Sequence, residues 1–274
     1  MEAIYDEEVK EKISGAFQGL NSCYLLFGPN NSGKSYTLIG SNENGILDKS
    51  AKDLFNLIEI THQVNSKSRI LFSLKMSIYI VFNDRIYDLS CKNCLKPLQL
   101  NKLFNLQTNN LITDISDLQE TNLKNYNDYR NLIKEALLNR KSLEKFLNVK
   151  DLKKKSNLII SFIISKKEIT PENHLISSDQ KISQVDFVEL LSSNYGNINN
   201  SGEENEAVVK SSIETFKSLN NNLECLRLKK IPEFESTLTL SLKKTLNSNT
   251  DIVFINCVHS NEDPPNESFQ SLKV

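Results

Sequence analysis

Apolar residues recur every three or four positions at Val9, Ile13, Phe17 and Leu20, the spacing of a helix with one buried face, and predict a helix over 6–20. The unbroken apolar run Cys23-Tyr-Leu-Leu-Phe27 ends at Gly28 and suits a strand covered on both faces. A Gly-rich turn and a helical stretch follow, and 48–60 repeats the amphipathic pattern through Ala51, Leu54, Phe55 and Ile58. The β-rich runs Ile70–Phe82 and Ile86–Leu89, joined by Asn83-Asp84, predict two strands and a turn. Beyond them the pattern predicts a helix over 127–147, a strand over Leu158–Ile164 and a second strand within Lys181–Leu191. Helices over Ala207–Leu228 and Leu238–Leu246 and a last strand, Asp251–Val258, complete the series, and Pro264-Pro265 starts a turn into a short terminal segment. Ser192–Asn205, rich in Ser, Asn and Gly, reads as a mobile loop. Strands alternating with helices argue for one α/β domain over 1–274, with a central, mostly parallel sheet flanked by helices.

Composition changes this picture little. The 274 residues carry 33 Lys+Arg against 34 Asp+Glu, a net charge of -1, so the molecule as a whole does not favour a polyanion and any acidic partner must meet a local patch. Neither a nucleic-acid partner nor a membrane is expected. No apolar run approaches the roughly 18 residues of a membrane span, and the acidic Met1–Glu8 does not resemble a signal peptide. The frequent Asn, Lys, Ser and Ile read as compositional bias. Five scattered cysteines (Cys23, Cys91, Cys94, Cys225, Cys257) are expected to be free thiols of a reducing compartment. Cys91-Lys-Asn-Cys94 is half a zinc pattern with no second half, and His62, His174 and His259 form no ligand pattern, so all read as ordinary side chains.

Gly28-Pro-Asn-Asn-Ser-Gly-Lys-Ser35 carries the chemistry. It is a full GxxxxGK-Ser match between a predicted strand and a predicted helix, the context in which this loop cradles phosphates. Its glycines let successive N–H groups turn inward, and the helix that follows presents its positive end. Gly28, Pro29, Asn30, Asn31, Ser32 and Gly33 would wrap the phosphates, Lys34 would reach the outer ones, and Ser35 would place its hydroxyl on Mg²⁺.

Around this loop the sequence resembles a kinesin motor domain. Gly19-Leu-Asn21-Ser-Cys-Tyr-Leu-Leu-Phe27-Gly28, running through the loop into Tyr36-Thr37, is similar to GYN…YGQTGSGKTYT, which adds Tyr36 to the nucleotide-binding set. Gly45-Ile-Leu-Asp-Lys…Leu54-Phe55 is similar to the following GI-I-P-R…LF segment. Ser77-Ile-Tyr-Ile-Val-Phe-Asn83-Asp-Arg-Ile86-Tyr87-Asp88-Leu89 is similar to SYLEIYNEKIYDL. Lys217-Ser218-Leu219, Pro232-Glu-Phe-Glu-Ser236-Thr-Leu238-Thr239 and Glu267-Ser-Phe-Gln-Ser271-Leu272 resemble the KSL, PYRDSKLT and closing ET–STL segments, in the family's order. The resemblance implies a kinesin-like P-loop NTPase domain without the family's first strand and its RxRP motif, and without a neck or coiled coil.

The departures fall on the two switch segments. Where the first reads NxxSSRSH, with serines that hold Mg²⁺ and the attacking water, this chain has Lys153, Lys154, Lys155, Ser156 and Asn157 at SSRSH. Where the second reads DLAGSE, alignment on Asp186 gives Asp186-Phe-Val-Glu189-Leu-Leu191. On that alignment Asp186 is the Mg²⁺-side carboxylate, Glu189 replaces the glycine that senses the γ-phosphate, and Leu191 replaces the glutamate that pairs with the first-switch arginine. Phosphoryl transfer depends on positioning and on stabilising charge at the γ-phosphoryl group, and a lysine does not orient water and metal as a hydroxyl does. The resemblance then implies ATP or ADP held with Mg²⁺ and hydrolysed poorly or not at all.

The segments that face tubulin in the family match a region with Arg227, Lys229, Lys230, Lys243 and Lys244, although Phe234 and Thr237 replace the basic residues of PYRDSKLT and Glu203, Glu204 and Glu206 make the preceding loop acidic. An acidic tubulin surface would attract the lysines, more weakly as salt rises. A solvated mixed-charge face is the competing reading. Three functions stay open: a structural microtubule-associated domain of the cytoskeleton, in the cytoplasm or a ciliary axoneme; a slow ATP-dependent microtubule motor head working with a second kinesin-like or other cytoskeletal subunit; and an unrelated P-loop enzyme such as a small-molecule kinase. The kinesin-like strings outside the phosphate loop count against the last.

Overall fold

A computed structural model describes residues 2–41, 44–64, 70–91, 95–105, 110–168, 180–192 and 203–258. The chain opens with helical turns of changing pitch: α1 (Glu2–Ile4), a π-helical turn (Tyr5–Val9), α2 (Lys10–Gly15) and a 3₁₀ turn (Ala16–Gln18). There follow β1 (Asn21–Phe27), α3 (Lys34–Leu38), α4 (Ile46–Val64), β2 (Ile70–Phe82), β3 (Arg85–Asp88), β4 (Leu100–Asn105), β5 (Asn110–Ile115) and β6 (Thr121–Leu123). The second half contains α5 (Tyr126–Phe146), α6 (Leu152–Lys155), β7 (Asn157–Glu168), β8 (Gln180–Glu189), α7 (Glu203–Arg227), α8 (Thr237–Ser241) and β9 (Thr250–Asn256).

Seven strands form one sheet in the order β3-β2-β7-β8-β1-β9, with β6 also paired to β2. β1 runs parallel to both β8 and β9, while β2, β3, β6 and β7 join by antiparallel ladders. Four strands (β1, β2, β8 and β9) thus point the same way, and the phosphate loop leaves the C-terminal end of β1, between its two parallel neighbours.

Side chains alternate across a strand, so each covered strand feeds two cores. Tyr24, Leu26, Ile78, Ile80, Ile160, Phe162, Val185 and Phe187 face the N-terminal helices, α4 and α5. Tyr24 stacks on Phe187 at 4.8 Å between ring centroids. Cys23, Leu25, Phe27, Tyr79, Val81, Ile159, Val188 and Leu190 face α7 and α8 through Leu219, Leu238, Leu242 and Leu246. Burial on both faces is why β1 reads as an unbroken apolar run.

The predicted elements are present with shifted ends. The N-terminal helical stretch starts at Glu2 and stops at Gln18, because Gly19 takes a left-handed φ of 90°. Leu20 therefore leaves the helical face and is 51% exposed. Asn83 and Asp84 both have positive φ, 47° and 55°, as a tight β2–β3 hairpin turn requires. The hairpin β4–β5 and the short β6 answer to no sequence expectation. Cys23, Cys225 and Cys257 are free thiols, but Cys91 is disulfide-bonded to a partner outside the described residues, which corrects the expectation that all five are free. His174, His259, Cys94, most of the loop expected over Ser192–Asn205, the Pro264-Pro265 turn and the closing segment at Glu267–Leu272 also lie outside the described residues. Among the described residues no helix is long and apolar enough to cross a membrane, and no metal-binding cluster of His, Cys, Asp or Glu is found.

Candidate nucleotide-binding site

The loop after β1 is shaped by two glycines with different duties. Gly28 has φ 145°, and a Cβ there would lie 2.1 Å from the Cys257 carbonyl oxygen, because the end of β9 passes directly beneath the loop. Gly33 has φ 98° and no described residue within 4 Å of where its Cβ would lie, and its carbonyl accepts from Thr37 N–H at 2.7 Å as α3 begins. Asn31, between them, is also left-handed, with φ 62°. The loop therefore curls over the end of the sheet and leaves a cleft of about 390 Å³, within the usual size range of small-molecule pockets. Asn30, Asn31, Gly33, Lys34, Ser35 and Tyr36 form one wall, and Lys153, Lys154, Glu189, Leu190 and Ser192 form the other.

Lys34 is buried, and its Nζ donates to the carbonyls of Gly28 at 2.7 Å and Pro29 at 2.8 Å. Burial lowers its pKa, and Lys153 adds to that, while Glu189 opposes it. The Ser35 hydroxyl donates to Glu189 Oε1. The other carboxylate oxygen, Glu189 Oε2, is buried and has no partner among the described residues, and the same holds for the Ser32 hydroxyl oxygen. A hydroxyl oxygen beside an unpartnered carboxylate oxygen is a hard-oxygen donor set, so Ser35 and Glu189 fit a Mg²⁺ ion.

The opposite wall is held from behind. Arg140, buried on α5, donates through Nη2 to the Lys153 carbonyl at 3.2 Å and to the Ser156 hydroxyl at 2.8 Å. Glu144 accepts the Leu152 N–H at 3.0 Å. These bonds pin the single turn of α6, so that Lys153 and Lys154 line the cleft. Lys155 does not line it, and Ser156 turns inward, its hydroxyl donating to the Leu152 carbonyl at 2.7 Å. Asn157 Oδ1 accepts the Leu191 N–H at 2.9 Å, a buried bond that ties the two switch-like segments together.

Asp186 is not in the cleft. It is fully buried on the opposite face of β8, where it accepts from the Thr245 hydroxyl and from Gln184 Nε2. Glu189 lies three positions beyond Asp186, an odd offset, so strand alternation sends their side chains to opposite faces. Glu189 pairs in register with Leu26, just before the loop, and Asp186 with Cys23. The expectation that Asp186 is the carboxylate on the metal side is therefore corrected, and the carboxylate beside Ser35 is Glu189.

The basic residues read as a tubulin-facing set lie at the C-terminal end of α7 and after α8. Arg227 is held by Glu224 at 2.7 and 3.0 Å, Lys244 by Asp114 at 3.7 Å, and Lys243 lies over the Phe234 ring at 5.3 Å. Lys229 and Lys230 are exposed on the turn that ends α7, beside Ile231, which is 91% exposed.

The family model for the kinesin motor domain matches this sequence over residues 1–274. The chain belongs to the kinesin motor domain family. It is 25% identical to kinesin-like protein KIF1A of Rattus norvegicus over 264 residues, and 25% identical to kinesin-related protein 1 of Dictyostelium discoideum over 275. These alignments cover 90% and 98% of this chain but 15% and 12% of those relatives, so the chain spans a small part of their length. A solved structure of a KIF14 dimer, two heads bound, with AMP-PNP and in complex with a microtubule, superposes with a TM-score of 0.76 at 22% identity. That superposition covers 98% of this chain and 74% of the other, and the likeness is one of fold.

Leu190 and Ser192, which follow Glu189, line the same cleft.

Proposed function

We propose that this kinesin motor domain binds ATP or ADP with Mg²⁺ between the Gly28–Ser35 loop and α6, hydrolyses ATP slowly or not at all, and serves as a structural microtubule-associated domain. The cytoplasmic cytoskeleton, including a ciliary axoneme, is its proposed setting. Tubulin is the proposed partner, with no nucleic acid and no membrane. The observation that carries this reading is Lys153 and Lys154 on the cleft wall where the kinesin pattern has serines. Lysines attract phosphate but offer no acceptor for the attacking water, and in phosphoryl transfer the loss of such positioning costs orders of magnitude in rate. Ser35 and Glu189 would hold the Mg²⁺, which neutralises phosphate charge when bound. Lys34 would exchange its two carbonyl partners for phosphate oxygens. A slow motor head working with a second cytoskeletal subunit is the alternative, favoured by the intact Lys34 and Ser35.

The test is to denature freshly purified protein and identify the released nucleotide by ion-pair chromatography. Intact ATP, close to one per chain, is the expected result. ADP in its place would mean that turnover survives the lysines and would favour the motor reading, and an empty cleft would sink the nucleotide reading.

For the lattice contact, Lys229 and Lys230 are the residues to reverse, because the other three basic side chains are engaged within the domain. The double variant Lys229→Glu, Lys230→Glu is expected to weaken co-sedimentation with microtubules about tenfold at low salt, with a smaller difference at high salt. Equal pelleting of variant and parent at low salt would move the contact elsewhere.

A further inference from the structure

Three lysines converge on the cleft. Lys34 comes from the loop, and Lys153 and Lys154 come from α6, while Glu189 is the one acidic side chain among the described residues that line it. The cleft thus carries two positive charges in excess. Lys154 has an exposed partner in Asp151 at 3.5 Å, a pair of little energetic weight. Lys153 makes no ion pair among the described residues and lies close enough to Lys34 to act on it unfavourably. Packing like charges together costs stability unless an anion joins them. Nor are the two lysines placed by chance loop geometry. Arg140, itself buried, grips the Lys153 carbonyl, and Glu144 caps the turn, so the backbone that carries both side chains is fixed before any ligand arrives.

The serines of the kinesin pattern carry no charge, and a site with one lysine and one carboxylate is neutral until Mg²⁺ brings two positive charges. Here the protein brings them itself. We infer that Lys153 and Lys154 take over the charge-neutralising duty of Mg²⁺, so that this cleft binds a nucleoside triphosphate without a requirement for the metal. Ser35 and Glu189 still accept the ion when it is present, but affinity does not depend on it. Metal-free binding also suits a domain that retains nucleotide, since the cation that would orient a reacting phosphate is then dispensable to occupancy. The inference rests on the nucleotide reading proposed above.

The test is the dissociation constant of a fluorescent ATP analogue for the whole chain, measured in excess MgCl₂ and in excess EDTA. For the parent the two values are expected to agree within about threefold. The double variant Lys153→Gln, Lys154→Gln is expected to lose about a hundredfold in EDTA, from the charge-assisted hydrogen bonds removed, and to regain most of it on adding Mg²⁺. Lys153→Arg, Lys154→Arg keeps the charge and should behave as the parent. Lys141→Gln, Lys145→Gln, exposed on α5, controls for net charge and should also leave both values unchanged. All these side chains but Lys153 and Lys154 lie outside the cleft, and both of those are exposed, so the variants should fold, as circular dichroism would verify. A parent that loses a hundredfold in EDTA overturns the inference and leaves the nucleotide reading standing, as does a glutamine variant indistinguishable from the parent. Absence of binding in either buffer overturns both.

Discussion

Gly28→Ala is expected to destabilise the domain by about 3–5 kcal/mol and to abolish nucleotide binding in whatever folds. Two independent costs meet at this position. The φ of 145° is one that a side chain rarely adopts, and the added Cβ would fall 2.1 Å from a backbone oxygen, that of Cys257, and 2.8 Å from the Ser32 hydroxyl oxygen. Neither the strand end nor the loop can yield cheaply, because Cys257 N–H donates to the Phe27 carbonyl at 2.8 Å, tying β9 to the residue before Gly28. Gly33→Ala is the internal comparison. Its φ of 98° is also strained for alanine, but no described residue lies within 4 Å of the new Cβ, so only the backbone term of about 1–2 kcal/mol applies. Urea unfolding of the two variants beside the parent separates the terms. Equal losses at the two positions would mean that the contact with β9 relaxes, and that the loop is not held against the strand as described.

The contrast between these glycines also marks where sequence reading reaches its limit. Both are visible in the motif, but only the approach of β9, 229 residues away in sequence from Gly28 at Cys257, makes one of them sterically irreplaceable. Elements with strong periodicity were legible: β1 and β2 through apolar runs, α4 and α5 through amphipathic faces. The β4–β5 hairpin was not, because Leu100-Asn-Lys-Leu-Phe-Asn105 mixes polar and apolar residues, and its partner strand supplies the ladder that propensity does not. The place of the Asp186 carboxylate was missed for a different reason. Matching Asp to Asp is chemically natural, but it ignores that the side chain must leave the same face of the strand as Tyr24 and Leu26 to reach the loop. Counting from Phe187, whose aromatic ring belongs with that core, puts Glu189 on the required face and Asp186 on the other. The signal was present in the sequence as strand parity.

That parity makes a pair of variants decisive. Asp186→Ala is expected to cost about 2–4 kcal/mol of stability, because it leaves the buried Thr245 hydroxyl and the Gln184 amide without their acceptor and opens a small cavity. Its folded fraction should bind nucleotide as the parent does, since the carboxylate looks toward α8 and away from the cleft. Glu189→Gln should behave in the opposite way. Stability should change by less than about 1 kcal/mol, because the amide oxygen can still accept from Ser35 and a buried, half-partnered charge disappears. Nucleotide affinity without metal should rise about tenfold, as one negative charge leaves the neighbourhood of the phosphates; at an effective dielectric of ~20 that repulsion is worth about 1–2 kcal/mol. Any tightening on adding Mg²⁺ should vanish with the carboxylate that would hold it. Urea unfolding and nucleotide titration with and without metal, run on both variants, read these effects separately. A change in affinity on Asp186→Ala, with none on Glu189→Gln, would return the metal side of the cleft to Asp186 and require the β8 register to be redrawn.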